Sequence, residues 1–301
     1  MKRVFLVYNP NSSQYRRVKT EILSQVEIFK GYQLGKYEIK TTGFEDNVKT
    51  FSKLLKNDDL VIAVGGDATA AIAANAILVS KKSAILSVLP YGNFNDLART
   101  LNTRTLSDAL KNQKPKQLYP LSVYVDGEFW RYATSYVTIG MTAEVVKIFD
   151  QKDIRKELKK ARKSSWRSYL LMALWYFKNR RKKIFLPPFS LNGKKQPEKT
   201  SDYAAVNGYS MCRVMKGGRD YLRPRIFRSM TERLTSFPRL FRLMVKSMFS
   251  RVPGFETKND LLEFESPASV EIQAEGEYGV FKDIETIEIK KEDVCLNIIQ
   301  N

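Results

Sequence analysis

The sequence predicts an α/β-plus-β fold. An N-terminal α/β domain on a parallel sheet (residues 1–117) precedes a mostly antiparallel β-sandwich domain (residues 118–290) into which basic helices are inserted. Three observations carry this. Short continuous apolar runs alternate with helical spacing up to about residue 110, the pattern of a parallel sheet covered by helices. Beyond Leu118 short alternating segments take over, as in antiparallel sheets. Two long stretches between those segments are dense in Lys, Arg and aromatic residues.

Val4–Tyr8 reads as a buried strand stopped by Asn9-Pro10. A helix is expected over Tyr15–Phe29, a strand over Tyr37–Lys40 and a helix over Asp46–Leu55, where Val48, Phe51, Leu54 and Leu55 share a face. Leu60–Val64 is a strand ending in Gly65-Gly66-Asp67, Ala70–Leu78 an Ala-rich helix, and Ile85–Leu89 a strand ending in Pro90-Tyr91-Gly92. In the second half, strands are expected at Val123–Val125, Phe129–Tyr132, Tyr136–Ile139, Ala204–Asn207, Leu261–Phe264, Ser269–Ala274 and Thr286–Ile289. Helices are expected within Ile154–Lys183 and Arg223–Arg251. The extreme C-terminal segment, about 290–301, is expected to return to the first domain.

Composition narrows the chemistry. The 301 residues include 51 Lys and Arg against 32 Asp and Glu, a formal charge of +19, which favours polyanionic partners: nucleic acid, anionic lipid or phosphorylated substrates. The charge pattern permits nucleic acid, but no recognisable nucleic-acid motif supports it. Histidine is absent, which removes every imidazole mechanism; a general base must be Asp, Glu, Lys or Tyr. The two cysteines, Cys212 and Cys295, form neither a disulfide framework nor a zinc pattern, so a reducing cytoplasm is expected. The N-terminal apolar run is too short for a signal peptide. Tyr169–Phe177, the longest apolar helical stretch, falls far short of the roughly 20 residues that span a bilayer.

Three loops fall at the carboxyl ends of predicted strands, where open α/β sheets bind ligands: Asn9–Ser13, Gly65–Thr69 and Gly92–Asp96. In Gly65-Gly66-Asp67-Ala68-Thr69 the paired glycines permit close approach and φ > 0, and the following helix aims free N–H groups at an anion. Asp67 can hold a ribose hydroxyl or Mg²⁺, and Thr69 can donate to a phosphate; equally, Asp67 can simply cap its own helix. Gly92-Asn93-Phe94-Asn95-Asp96 opens another helix. Its polar groups can read a nucleotide, with Asp96 pairing an amine or a metal-bound oxygen, or Asn95 or Asp96 can be a plain N-cap.

Together the loops resemble the diacylglycerol kinase catalytic-domain family, which is related in fold to NAD kinases. The family's Asn-Pro-x-Ser-Gly start, Gly-Gly-Asp-Gly-Thr loop and Gly-Thr-x-Asn-Asp-x-Ala-Arg loop are matched by Asn9–Ser13, by Gly65–Thr69, and by Gly92, Asn95, Asp96, Ala98 and Arg99. That last loop separates the family from NAD kinases. Tyr136–Val145 resembles the family's Ile-Gly-x-Asp-Ala turn, Ser168–Arg181 its Leu/Tyr-rich helix, and Gln273–Glu277 its Asp-Gly-Glu motif. The resemblance implies an ATP- and Mg²⁺-dependent lipid kinase, cytoplasmic and peripheral to an anionic membrane, in which homodimers are permitted. It implies ATP contacts from Asn9, Pro10, Asn11, Ser12, Ser13, Thr42, Gly65, Gly66, Asp67, Ala68, Thr69, Asn93 and Asn95. Glu275 would be the general base, with Asp96 and Glu277 orienting groups or metal.

The sequence departs from the family pattern at several places. Ala68 replaces a glycine, which requires negative φ there. Ala71 and Ile72 stand where the family carries Asn-Glu, Asn93 replaces Thr, and Glu275 replaces Asp. Tyr221–Phe227 carries basic residues where the family's Asp-Asp-Gly segment binds a structural Mg²⁺, so arginine is expected in place of that metal. These departures motivate a second reading, a nucleotide- or lipid-binding pseudokinase. A third is an NAD-kinase-like enzyme with a soluble substrate. The basic stretches, with Trp166, Tyr169, Trp175 and Tyr176 in the first and Phe237, Phe241 and Phe249 in the second, suit a lipid–water interface, or two helices packed on the β domain with a solvated basic face.

Overall fold

The computed structural model describes residues 2–92, 95–110, 114–149, 177–178, 185–211 and 215–300. Asn93, Cys212 and nearly all of the basic stretch Ile154–Lys183 lie outside the described residues.

Strands β1 (Lys2–Tyr8), β2 (Tyr32–Glu38), β3 (Leu60–Gly65), β4 (Ile85–Pro90) and β5 (Lys116–Leu118), with the chain's last strand Leu296–Ile298, form a six-stranded sheet in the order β2-β1-β3-β4-last-β5. Every pairing is parallel except that of the edge strand β5. All six residues of β3 are buried, as a central strand covered on both faces requires. On one face Val61, Ala63, Leu86 and Val88 pack on α2 (Phe44–Ser52) and α3 (Asp67–Ser80). On the other, Leu6, Ile62 and Leu89 meet Val18, Ile22 and Phe29. Helix α3 is buried nearly all round, Thr69 to Leu78, which its small alanines permit. The Asn75 side chain donates to the Tyr132 carbonyl at 3.0 Å and accepts from the Tyr132 N–H at 3.0 Å, so α3 is fastened to the second sheet.

The helix expected over Tyr15–Phe29 is instead α1 (Tyr15–Val18), a π turn (Lys19–Leu23) and a 3₁₀ turn (Val26–Phe29). The Thr20 and Ser24 hydroxyls donate back to the carbonyls of Arg16 and Thr20, contacts that bend helices. Strand β2 begins five residues before its expected start. Gly35 hid it; a Cβ there would lie 2.5 Å from the Phe5 ring, which packs across the strand.

The second sheet is antiparallel. Its strands are β6 (Leu121–Val125), β7 (Glu128–Ala133), β8 (Tyr136–Gly140), β9 (Phe189–Leu191), β10 (Lys194–Lys195), β11 (Asp202–Val206), β14 (Phe227–Glu232), β15 (Phe255–Thr257), β16 (Asn259–Ala274) and β17 (Glu277–Lys290), with a separate hairpin of β12 (Ser210–Met211) and β13 (Met215–Lys216); β18 is Leu296–Ile298. Where a sandwich would have two sheets, these ten strands are hydrogen-bonded into one. The two strands expected at Leu261–Phe264 and Ser269–Ala274 are the halves of β16, whose register shifts between Glu263 and Val270, around Pro267. Proline cannot donate to the ladder and a bulge absorbs it. Helices α4 (Asp96–Leu101), α5 (Leu106–Leu110), α6 (Met141–Phe149) and α7 (Phe237–Phe249) complete the elements used below. Within the helix-like stretch Arg223–Arg251, Phe227–Glu232 is strand β14 and α7 supplies the helix. Phe227 and Ser229 are buried, Ser229 pairing with Ala205 of β11 and Phe227 with Thr257 of β15; strand pairing overrides local helical spacing.

Candidate functional site

The loops after β1, β3 and β4 and the β16–β17 turn converge. Glycine serves here through close approach, not through positive φ: Gly66 lies at φ −91° as N-cap of α3, and none of Gly65, Gly66 and Gly92 is among the residues with positive φ. A Cβ on Gly65 would fall 2.4 Å from the Thr69 hydroxyl, and one on Gly92 would fall 2.2 Å from the Gly66 Cα. The second and third loops therefore touch backbone to backbone. Gly92→Ala is expected to lower stability by at least ~1–3 kcal/mol, the cost of overpacking where no side chain can yield, read as the urea midpoint; an unchanged midpoint would show that the loops separate freely.

Asp67 caps a neighbour rather than its own helix. Its carboxylate accepts from the backbone N–H of Asn95 (2.9 Å), Asp96 (2.6 Å) and Leu97 (3.4 Å), placing negative charge at the start of α4. Asn95, at φ 57°, accepts from Gly92 N–H at 2.7 Å and donates to the Gly92 carbonyl at 2.9 Å. Asp96 is buried and accepts from the Ser210 hydroxyl, while the Thr100 hydroxyl accepts from Tyr209 N–H at 3.1 Å. Thus Asp67, Asn95 and Asp96 tie the loops to one another and to the β12–β13 hairpin.

Ala274 pairs with Glu277 across a two-residue turn in which Glu275 and Gly276 lie at φ 54° and 86°, the left-handed conformation that a type I′ hairpin demands. A Cβ on Gly276 would lie 3.8 Å from Ala68 N and Asp67 Cβ, so the turn rests on the start of α3. Glu275 is 3 % exposed. One carboxylate oxygen accepts from the Thr134 hydroxyl and Ser135 N–H; the other, buried, has no protein partner. Burial pushes the Glu275 carboxyl up to about 7, against the hydrogen bonds from Thr134 and Ser135. Burial also pushes the Asp67 carboxyl up, reinforced by the nearby Asp96 and Glu275 charges.

Beside the turn lies a cavity of about 180 Å³, lined in part by Asn9, Lys40, Thr41, Phe44, Asn47, Ala68, Thr69, Ile72 and Glu277. Of the residues expected from sequence, Asn9, Ala68, Thr69 and Glu277 form its wall. Asn9 also accepts from Asn11 N–H at 2.8 Å, curling the first loop. Pro10, Asn11, Ser12, Ser13 and Thr42 are not on the wall. Ala68 is the second residue of α3, without positive φ, so the methyl group is accommodated. Lys40, Thr41, Phe44 and Asn47 were missed; their signal was position, since they follow β2 as the predicted loops follow β1, β3 and β4. Asn47 shapes this wall by donating to the carbonyls of Lys40 (2.9 Å) and Gly43 (2.5 Å). At the flank Arg131, buried, donates to Glu45 at 2.9 Å and stacks over Phe44. Burial lowers its pKa, while Glu45, Glu277 and Glu275 raise it.

These residues fit a nucleoside phosphate better than a protein-held metal. The N-terminus of α3, the Thr69 side chain and Lys40 suit phosphate oxygens. Among the described residues no group of three or more Asp, Glu, His or Cys converges as a metal cage. Mg²⁺ in phosphoryl-transfer sites is commonly held by phosphates and one or two carboxylates, and Glu277 on the cavity wall suits that arrangement.

At the segment where the resemblance placed arginine for a metal, the buried cation is Lys291. Its ammonium donates to the carbonyls of Asp220 and Arg223, and burial brings it down to about 7. Arg223 and Arg225 point outward instead, to Glu256 and Asp293.

Residues 3–123 match the family model described as the diacylglycerol kinase catalytic domain. The chain is 29% identical over 106 residues to the diacylglycerol kinase of Staphylococcus saprophyticus, covering 35% of this chain and 34% of the relative. It is 33% identical over 104 residues to that of Staphylococcus epidermidis, covering 34% and 32%, so these matches span about a third of the relatives' length. A crystal structure of a diacylglycerol kinase from Bacillus anthracis shares the fold over 100% of this chain and 97% of its own, with a TM-score of 0.71 at 18% identity. Residues 3–123 thus carry the match to the diacylglycerol kinase catalytic domain, and the rest of the chain shares the fold of the solved diacylglycerol kinase structure.

Proposed function

We propose that the chain is an ATP-dependent lipid kinase that phosphorylates a hydroxyl of a diacylglycerol-like lipid at a membrane surface, in the cytoplasm. The observation that carries this is the Glu275 turn set against the start of α3. The turn carries a buried carboxylate with an unpartnered oxygen and a pKa near 7, and its neighbour Glu277 lines a cavity suited to phosphate, although Glu275 itself is not on the cavity wall. A general base works best with a pKa near the operating pH.

In this reading the first loop, the start of α3 and Lys40 orient the nucleotide, and Asp67 and Asn95 hold the loops in place. Glu275 takes the proton of the lipid hydroxyl as its oxygen bonds to the terminal phosphorus; the bond from that phosphorus to the bridging oxygen breaks and leaves ADP. Mg²⁺, when bound, neutralises charge on the phosphates. Glu277 orients groups at the cavity wall.

The pseudokinase reading rests on Ile72, an apolar cavity-wall residue where the family pattern has an acid. The test is transfer of labelled phosphate from ATP with Mg²⁺ to diacylglycerol, monoacylglycerol, phosphatidylglycerol, ceramide and sphingosine in mixed micelles. One labelled lipid is expected. Retained ATP binding with no labelled product would favour the pseudokinase.

A further inference from the structure

We propose that the outer face of α7 is the surface on which this protein docks to an anionic lipid bilayer. The inference deepens the lipid-kinase reading, but docking itself is measured without substrate. Helix α7 carries three chemically distinct faces. Phe237, Leu240 and Leu243 face the core, where they pack with Met141, Ile148, Phe177 and Leu234, and Ser247 is fully buried. On the far side Phe241, Val245, Met248 and Phe249 follow i, i+4, i+7 and i+8, the spacing of one helical stripe. They are 47 %, 37 %, 46 % and 81 % exposed. Arg239, Arg242 and Lys246, at i, i+3 and i+7, run alongside them and are exposed.

The core accounts for the inner face only. A second apolar stripe turned away from it, ending on an almost fully exposed phenylalanine, needs a different apolar medium. The flanking charge selects that medium. Residues 237–251 contain no Asp or Glu, so within α7 the charged residues beside the stripe are all cations, and Glu232, close to Lys246, is half-buried with its carboxyl pushed up by burial. Apolar side chains that enter the acyl boundary beside cations that meet headgroups describe an interfacial helix on an anionic leaflet.

The position suits the proposed reaction. Helix α7 packs against β13, Leu243 touches the cluster containing Met211 and Met215, and Ser210 of the same hairpin donates to Asp96. One hairpin therefore separates the docking helix from the loop network of the site.

The experiment uses the full chain and vesicles of phosphatidylglycerol or phosphatidylcholine. A Phe249→Cys variant, with Cys212→Ser and Cys295→Ser, carries an NBD label at 249. The label is expected to report water in buffer, to shift to the blue and brighten with phosphatidylglycerol vesicles, and to stay unchanged with phosphatidylcholine. Phe241→Glu with Phe249→Glu should lower co-sedimentation more than tenfold. Arg242→Gln with Lys246→Gln should lower it roughly tenfold and weaken its dependence on salt, as expected for the loss of two cations near an anionic surface. Phosphorylation of a short-chain diacylglycerol in solution should be unchanged in both double variants, which also reports that they fold. An apolar label signal in buffer would overturn the proposal, because the stripe would then be covered by residues of the same chain or by a second copy; light scattering separates these. A water-like signal that vesicles do not change would also overturn it. Vesicle docking without turnover of any lipid would leave the docking surface standing and remove the lipid-kinase reading.

Discussion

Glu275→Gln is expected to lower phosphate transfer to lipid by roughly 10²–10⁴-fold, the usual contribution of a general base, while ATP binding is retained. The amide keeps an oxygen that accepts from Thr134 and Ser135, so the turn stays anchored and only the proton acceptor is lost. Glu275→Asp should retain activity, because a short carboxylate suits the left-handed position at φ 54° better than glutamate does. The rate of the unaltered chain should rise with pH and level off above about 7, where the carboxyl ionises, a limb that Glu275→Gln should lack. Single-turnover measurements with labelled ATP between pH 5.5 and 8.5 read all three. A Glu275→Gln protein with full activity would move the base elsewhere, and Asp67, engaged by three backbone donors, is poorly placed to replace it.

The protein should be more stable at pH 5 than at pH 7. Burial raises Glu275 from 4.5 to about 7 and Asp202 from 3.8 to about 7. Asp202 is 2 % exposed and accepts from the Thr142 N–H and hydroxyl at the start of α6. When a carboxyl's folded pKa lies above its unfolded value, the folded state holds the extra proton. The associated stability is complete below the unfolded pKa, near pH 4, and is lost as pH rises through the folded value near 7. Over the two units between pH 5 and pH 7 each group accounts for on the order of 3 kcal/mol at most. A loss of 3 kcal/mol corresponds to a fall in melting temperature of several degrees, at roughly 2–4 °C per kcal/mol. Lys291 falls outside this window, since its lowered pKa of about 7 makes stability rise with pH only above 7. Glu275→Gln and Asp202→Asn should each flatten the slope between pH 5 and pH 7 in thermal melts. An unchanged slope in both variants would mean that water reaches these carboxyls and lifts the penalty.

Much of the site was legible because the relevant signals are local. Apolar runs stopped by Asn9-Pro10, Gly65-Gly66 and Pro90-Tyr91-Gly92 mark strand ends, and parallel sheets open their ligand sites there. That reasoning reached Asn9, Ala68 and Thr69 on the cavity wall. It missed Lys40 and Asn47 because the strand expected over Tyr37–Lys40 ends at Glu38, which leaves Lys40 in the following loop, and because Asn47 lies in helix α2, where no loop was sought.

By itself the sequence determined the alternation of strands and helices, the loops at the strand ends, the excess of positive charge and the lack of any imidazole chemistry. These depend on residue type and on spacings of a few residues. Only the tertiary structure decided what the loop residues do. Gly66 and Gly92 are glycines because their backbones touch. Asp67 caps a helix that begins 29 positions further on. Glu275 is masked by Thr134 and Ser135 from another strand connection, and Lys291 rather than an arginine stands among the Asp220 and Arg223 carbonyls. Each role is set by burial and by a partner distant in the chain, and local sequence encodes neither.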